Sequence, residues 1–574
     1  FWRKATLAPG ALVCAEGATA APPVSLQMCP NDRMCHVGPR PVGKPASPPL
    51  APTPPAEAAP QSRPPPRKYG KACMVQHHSD RRALDDKYTL VRHLGSGSFG
   101  SVDLVQNKAT GEERVRKTVK TTGMSKATLA IIRREIRVLS SLDHPHIVKL
   151  YEYAEDVESG AILLILEYLP RGDFGTLLER DSRLPEQSVA HILRQLIGAL
   201  SYCHGRGVVH RDIKPVNLMV AAGRMDRPDC KVIDFGLAGC TAFEEHEEKM
   251  PSEDAQGNDA VARKERVLVS QRVGTVAYMA PEIVSCGSAL ASKADMWSVG
   301  VTAVELLTGR HLFHGSPSRS TASRVRSFRG AEDVVARVGA TEGWRQLSVS
   351  GQGLILSLLE VDPERRPSAS EALAHPWLQP PAAAGAPSIA LPPGIVCGLA
   401  GYADAKPMLR QCLQVLASRT NIAQAFEASA AALFLTADRE GQGRASLREL
   451  INQAVGRQGD ASPRSPGPHG EPCVSYTEFL AACLYSRFSS TRDLAEDVVP
   501  AEAAFRALDA DADGHVDKRD LAKVFGEGAL SSLPADLRAV PLEKFVSLMQ
   551  SAVGSPRCVT RLRLCVAGSR YMSS

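Results

Sequence analysis

No apolar stretch in this chain approaches the ~20 residues that a helix needs to cross a bilayer. The strongest, Ala161–Leu166, has the length of a strand and ends at Glu167, so no transmembrane segment is expected. Charge of one sign is also lacking. Against 68 Lys and Arg stand 62 Asp and Glu, a formal charge of +6 over 574 residues, and nothing in that balance points to nucleic acid. Paired cysteine spacing is missing too: 14 cysteines scatter from Cys14 to Cys565, which reads as reduced thiols and a cytoplasmic location rather than a disulfide framework. Aromatic residues are scarce in the first 80 positions, where only Phe1, Trp2 and Tyr69 occur, while 16 of the 41 prolines fall in residues 9–66. Such a stretch cannot bury enough apolar surface to offset chain entropy, and residues 1–85 are expected to form a disordered leader. Pro9 and Gly10 interrupt the weakly apolar run after Arg3 and Lys4, which argues against a secretory signal. Because the first residue is Phe1, the native start is expected to be missing, so no N-terminal acylation signal or membrane attachment can be read.

What is present begins at Tyr88. A strand-turn-strand pattern encloses Gly95-Ser96-Gly97-Ser98-Phe99-Gly100-Ser101-Val102, a G-x-G-x-x-G-x-V turn. Its missing side chains let backbone N–H groups approach phosphate oxygens closely. Lys117 follows in an apparent strand and Glu135 on the next helical pattern; an ammonium held by a carboxylate can grip two phosphates without drifting. Then come His210-Arg211-Asp212-Ile213-Lys214-Pro215-Val216-Asn217, Asp234-Phe235-Gly236 after two strand-like segments, Ala280-Pro281-Glu282, Asp295-Met296-Trp297-Ser298-Val299-Gly300 and Arg366.

Over about residues 88–378 the sequence resembles the protein kinase family, with its major signatures in order. The resemblance implies a bilobal α+β fold, ATP as donor and Mg²⁺ as the ion at the phosphates. It places Gly95, Gly97, Gly100 and Val102 over the nucleotide and Lys117, paired to Glu135, on the α/β-phosphates. Leu166 stands at the gatekeeper position, Glu167 and Leu169 offer backbone bonds to adenine, and Asp173 bonds the ribose. Asn217 and Asp234 bind Mg²⁺, Asp212 orients and deprotonates a Ser/Thr hydroxyl, and Lys214 sits near the transferred phosphate. Lys214 between Asp212 and Asn217, with Thr275 ahead of Ala280, matches the Ser/Thr rather than the Tyr pattern. Val216 departs from the pattern where relatives generally carry glutamate, so the resemblance does not carry over a preference for arginine-rich sites. The acidic run Glu244–Glu248 is expected to form a solvated insertion that partly replaces activation-loop phosphorylation, with Arg211 as its receiver.

A second chemistry lies beyond the Pro/Ala-rich segment 379–393. Residues 509–520 match a 12-residue calcium loop, with Asp509, Asp511, Asp513, Asp517 and Asp520 at positions 1, 3, 5, 9 and 12, His515 at 7 and Gly514 at 6. Asp520 has a shorter arm than the usual glutamate, so calcium affinity is expected to fall and Mg²⁺ to compete. A degraded copy runs over 438–449 with Asp438, Glu440, Gln442, Gly443, Ser446 and Glu449 as its positions 1, 3, 5, 6, 9 and 12. Two remnants, ending near Glu478 and Lys544, carry prolines or a cation where ligands are needed and are expected to bind no metal.

Between them and the kinase-like part, Met408, Leu409, Cys412, Leu413, Val415 and Leu416 share one side of a helical wheel over Lys406–Arg419. In this order the parts resemble the calcium-dependent protein kinases of plants and protists over residues 88–551. That implies an all-α, calmodulin-like EF-hand domain, Ca²⁺ as regulator and the junction helix as an intramolecular blocking partner. The expected divisions are a leader (1–85), a Ser/Thr kinase domain (86–378), linker and junction (379–420), the EF-hand domain (421–551) and a basic tail (552–574). The expected partners are protein substrates, the chain is expected to be a monomer, and pairing one candidate loop with one dead loop in each half predicts graded calcium tuning. Two other readings share these residues: an active kinase independent of calcium, and a non-catalytic calcium-responsive scaffold.

Overall fold

The computed structural model of the chain describes residues 75–97, 100–108, 110–224, 227–240, 276–286, 291–314, 320–379, 399, 402, 410, 413–415, 417–418, 424–438, 441–454, 473–490, 505, 508–509, 513–517, 519–520 and 539–544. Ser98, Phe99, the acidic run 244–248, Thr275, Glu440 and Asp511 lie outside them, as do residues 1–74 and 552–574.

A six-stranded sheet forms the small lobe, in the order β1-β5-β6-β4-β3-β2. Its members are β1 (Gln76–His78), β2 (Tyr88–Gly97), β3 (Gly100–Asn107), β4 (Glu113–Lys120), β5 (Leu150–Asp156) and β6 (Ala161–Glu167). The continuous apolar run of β6 follows from burial on both faces. Ile162 and Leu164 join the main core, while Leu163 and Ile165 pack with Leu84 of helix α1 (Arg82–Lys87) on the other side. Helix α2 (Lys126–Ser141) begins where the Ser125 hydroxyl accepts the Thr128 amide, and it buries Ile136, Val138 and Leu139 against the sheet side of the core.

The expected disorder of the leader is corrected at its end. Residues 75–87 are ordered: β1 pairs in parallel with β5, Gln76 opposite Glu152. The reason is a buried carboxylate. Glu152, 3% exposed, is bonded by His78, Lys87 and Tyr88. Burial opposes its ionisation, but the Lys87 charge and those hydrogen bonds hold it well below the usual carboxylate range.

In the large lobe, helix α3 (Phe174–Asp181) and helix α4 (Glu186–His204) precede β7 (Val208–Val209), the hairpin β8 (Leu218–Arg224) and β9 (Arg227–Val232), and β10 (Gly239–Cys240). The helix Ala291–Thr308 is apolar nearly all round and lies in the centre; its Trp297 is fully buried and meets the Phe328 ring edge-on at 5.3 Å. Arg366, also fully buried, reaches Glu282 at 2.7 Å and lies over Trp297, which fixes the helix Pro281–Cys286 to the end of the lobe.

The C-terminal module is built of helix–loop–strand–helix units. The helix Gln424–Ala437 leads through β11 (Arg444–Ser446) into Leu447–Ala454, and β12 (Cys473–Ser475) leads into Tyr476–Ser490. Ala445 faces Val474 across β11 and β12, and Val516 faces Val540 across β13 (His515–Val516) and β14 (Val540–Pro541). Phe434, Leu450, Phe479, Leu508 and Val516 share one core. Of Lys406–Arg419, the described residues are Arg410, Leu413, Gln414, Val415, Ala417 and Ser418. Leu413, Val415 and Ala417 are fully buried in that same core.

His146, between α2 and β5, ties the lobes through Nδ1 to the Cys230 carbonyl at 2.8 Å. Burial lowers it to about 4, against the pull of that hydrogen bond. The folded protein thus keeps His146 neutral where the unfolded chain takes up a proton. Its contribution is complete above about pH 6.5 and is lost as pH falls towards 4, at most about 3 kcal/mol. Denaturant unfolding at pH 7 and pH 4.5 should show a smaller drop for His146→Gln than for wild type; equal drops would place the pH dependence elsewhere.

Candidate active site

A cleft opens between the lobes. Val102, Val115, Val148, Leu166, Leu169, Met219 and Ile233 give it apolar walls, and Lys117, Glu135 and Asp234 gather as its polar lining. The β3–β4 register sets Val102 opposite Lys117, so roof and cation come from adjacent strands. Lys117 Nζ donates to Glu135 Oε1 at 2.7 Å, joining β4 to α2. The turn above follows from close packing: a Cβ on Gly100, at φ +154°, would lie 1.7 Å from the Thr118 carbonyl oxygen. Gly95 pairs with Val102 and Gly97 with Gly100.

Along the hinge, the Glu167 amide donates to the Lys149 carbonyl and its carboxylate accepts Lys231. Asp173 is the N-cap of α3, its two oxygens taking the amide and hydroxyl of Thr176. The sequence did not reveal this capping role, although an aspartate three residues before a threonine at a helix start carries the signal.

In the large lobe, β7 leads into the segment 210–217. The Asp212 carboxylate is 2% exposed as a residue and receives Lys214 Nζ on both oxygens at 2.8 Å and Asn217 Nδ2 at 2.9 Å. His210 Nε2 donates to the Ile233 carbonyl and its Nδ1 accepts the Asp212 amide, which fixes the ring's proton on Nε2. Phe235 packs edge-on against His210 at 4.7 Å. Arg211 at φ +65° and Asp234 at φ +62° adopt left-handed backbone that non-glycine residues rarely take. The Gly236 amide bonds Asp234 Oδ1.

Asp295 organises this segment. Its carboxylate, 1% exposed, accepts His204 Nε2 and the consecutive amides of His210 and Arg211. Burial works against the charge, yet the hydrogen bond and charge of His204, with the His210 contacts, keep it below the ordinary carboxylate range. The motif around Asp295 is evident in the sequence, but this function within it is not.

The donors fit a polyphosphate and a small hard cation: oxygen ligands from Asp234 and Asn217, a fixed ammonium, and apolar walls for a flat ring. Elsewhere, Asp438 takes the amides of Gln442 and Gly443, and Asp509 takes those of Asp513 and Gly514. The sixth residues, Gly443 (φ +69°) and Gly514 (φ +82°), make the same left-handed turn. Asp517 and Asp520 bond each other's amides, and Glu449 receives Gln453. The His515 amide bonds Asp513 Oδ1. Among the described residues no group of three or more His, Cys, Asp or Glu side chains gathers to hold a metal ion. Glu440 and Asp511, each third in its loop, are not among those residues. The oxygen-only donors of both loops suit calcium.

A protein kinase domain model matches residues 88–378. Calcium-dependent protein kinase 9 of Oryza sativa subsp. japonica is 28% identical over 501 residues, covering 83% of this chain and 79% of its own. Calcium-dependent protein kinase 3 of Plasmodium yoelii yoelii is 27% identical over 456 residues, 77% and 75% of the two chains. A putative sperm motility kinase W of Mus musculus is 30% identical over 304 residues, about half of each chain.

Asp295→Asn puts an amide donor among three donors, so one buried bond must fail. We expect a loss of about 3 kcal/mol in unfolding free energy and faster exchange of the His210 and Arg211 amides. Unchanged exchange there would show that the carboxylate does not hold the segment.

Proposed function

The chain belongs to the protein kinase family, and from that premise we propose that it is a Ser/Thr protein kinase tuned by calcium through a C-terminal EF-hand domain. The observations that carry the catalytic part are the Asp212 carboxylate held by Lys214 and Asn217 and the cleft that the Lys117–Glu135 pair and Asp234 line. ATP brings the γ-phosphoryl group and Mg²⁺ offsets the charge on it. Lys117, steadied by Glu135, holds the α/β-phosphates, while the backbone of Gly95, Gly97 and Gly100 and the side chain of Val102 cover the nucleotide. Because the Glu167 amide is already engaged, its carbonyl and the Leu169 backbone are the hinge groups for adenine. Asp173 combines its capping role with the ribose. Asn217 and Asp234 hold Mg²⁺. Asp212 aligns a substrate hydroxyl and takes its proton as the oxygen attacks, and Lys214 meets the phosphoryl oxygens.

Calcium regulation is supported by the matched hydrogen bonds that Asp438 accepts from Gln442 and Gly443 and Asp509 from Asp513 and Gly514, and by the strand pairings, which put each candidate loop beside a remnant. Asp509, Asp511, Asp513, His515, Asp517 and Asp520 form the stronger site, and Asp438, Glu440, Gln442 and Glu449 the weaker. The junction's Leu413, Val415 and Ala417 lie in the module's core and none lines the described cleft, which supports a state with the cleft unblocked. The division into leader, kinase domain, junction and EF-hand domain follows the boundaries given above, except that β1 joins the kinase domain's sheet and α1 packs on it, and the proposed acceptors are Ser and Thr hydroxyls of protein substrates.

Asp212→Asn should lower phosphate incorporation into a generic protein substrate by about 10²–10⁴-fold; incorporation equal to wild type would leave a binding scaffold as the better reading. With Mg²⁺ fixed, a calcium titration of wild-type activity should be shallow, with a Hill coefficient of about 1, and Asp509→Ala should move it to higher calcium. Identical flat curves would leave a kinase without calcium control.

A further inference from the structure

The kinase domain and the C-terminal module meet through a polar contact outside the cleft lining. Asp143 stands two residues after the end of α2 and is 8% exposed. Its carboxylate accepts the amide of Thr477 at 3.0 Å and the Thr477 hydroxyl at 2.8 Å. Thr477 is 3% exposed and is the second residue of the helix Tyr476–Ser490, so an anion caps that helix where its first amides point. The Asp143 amide in turn donates to the Tyr202 hydroxyl on α4 at 2.8 Å.

Tyr202 also receives the module. A Cβ on Gly443 would lie 2.1 Å from the tyrosine ring, and one on Gly441 would lie 3.1 Å from Ser201 Oγ. His144 stacks on the other part of this contact, 5.2 Å from the Tyr202 ring centre. A third attachment joins Lys149 Nζ to the Ala417 carbonyl at 2.7 Å. Three separate segments of the C-terminal half therefore rest on α4 and on the connection between α2 and β5.

We propose that this face is the docking surface for the module and that Thr477 is a positioning residue for the Lys117–Glu135 pair. The proposal rests on the kinase reading above. Glu135 lies six residues before the end of α2, about 9 Å along a helix. Leu142, the C-cap between α2 and Asp143, is fully buried, so the helix end and Asp143 move together. A docked Thr477 holds that end in place and, through it, the carboxylate that steadies Lys117. Two charged side chains on this face, Asp143 and Lys149, bond groups of the C-terminal half, Thr477 and the Ala417 carbonyl.

The test uses the full chain with Thr477→Val, which keeps the shape and removes the hydroxyl, and Thr477→Ser, which restores it. Thr477→Val should raise KM for ATP about three- to tenfold with kcat changed less than about twofold. Amide exchange should quicken in residues 136–146 as well as in 476–485. Thr477→Ser should return all of these to wild type. Exchange altered only in 476–485 with KM for ATP unchanged would overturn the proposal, as would no change at all. If wild type itself turns over no ATP, the kinase reading fails separately. Exchange in 136–146 then decides alone: faster exchange in Thr477→Val sustains the docking surface, and unaltered exchange overturns it.

Discussion

Three donors converge on the Asp295 carboxylate, and two of them are consecutive backbone amides of the segment 210–217. A buried carboxylate without partners would be expelled or protonated. The central helix can therefore keep Asp295 only if His210 and Arg211 come to it, and their positions determine where Asp212 lies. Arg211 accepts left-handed backbone to make this possible, a local cost at a site where the neighbouring bonds leave few alternatives. From that anchor, His210 passes the order on to Ile233 and Phe235, so the segments around Asp212 and Asp234 are tied to one charge in the core.

Residues whose chemistry admits no substitute were legible in the sequence. Lys117, Glu135, Asp212, Asn217 and Asp234 stood out by type and order; Lys117 bonds Glu135 and Asn217 bonds Asp212, and Asp234 lines the cleft with the first pair. The burial of β6 on both faces was likewise visible as an uninterrupted apolar run. Residues 76–87 were not legible. A three-residue strand and a six-residue helix are too short to display a period, and the reason they fold is Glu152, which lies more than 60 residues away in the chain. Asp143 and Thr477 were hidden for the same reason, at a separation of 334 residues and with side chains that suit any surface.

The module presents a different balance. Its loops keep the turn chemistry of calcium sites more faithfully than the ligands themselves. Asp438 and Asp509 bond the same two relative amides, and Gly443 and Gly514 turn the chain alike, although Gln442 has no charge. Gly443 has a further constraint, since the Tyr202 ring occupies the space that any side chain would need. A glycine there answers to the turn and to the neighbouring domain at once, so its presence alone says little about metal affinity.

The strand β1 lies parallel to β5 at the border of the small-lobe sheet. Without it, β5 would offer a row of unpaired amides and carbonyls to solvent, the kind of border along which sheets of different molecules join. The family match begins at residue 88, so a chain trimmed to that match would lose this cover together with the His78 and Lys87 partners of Glu152. In the full chain the last part of the Pro-rich leader thus works as a selvedge, keeping the sheet from fraying into its neighbours.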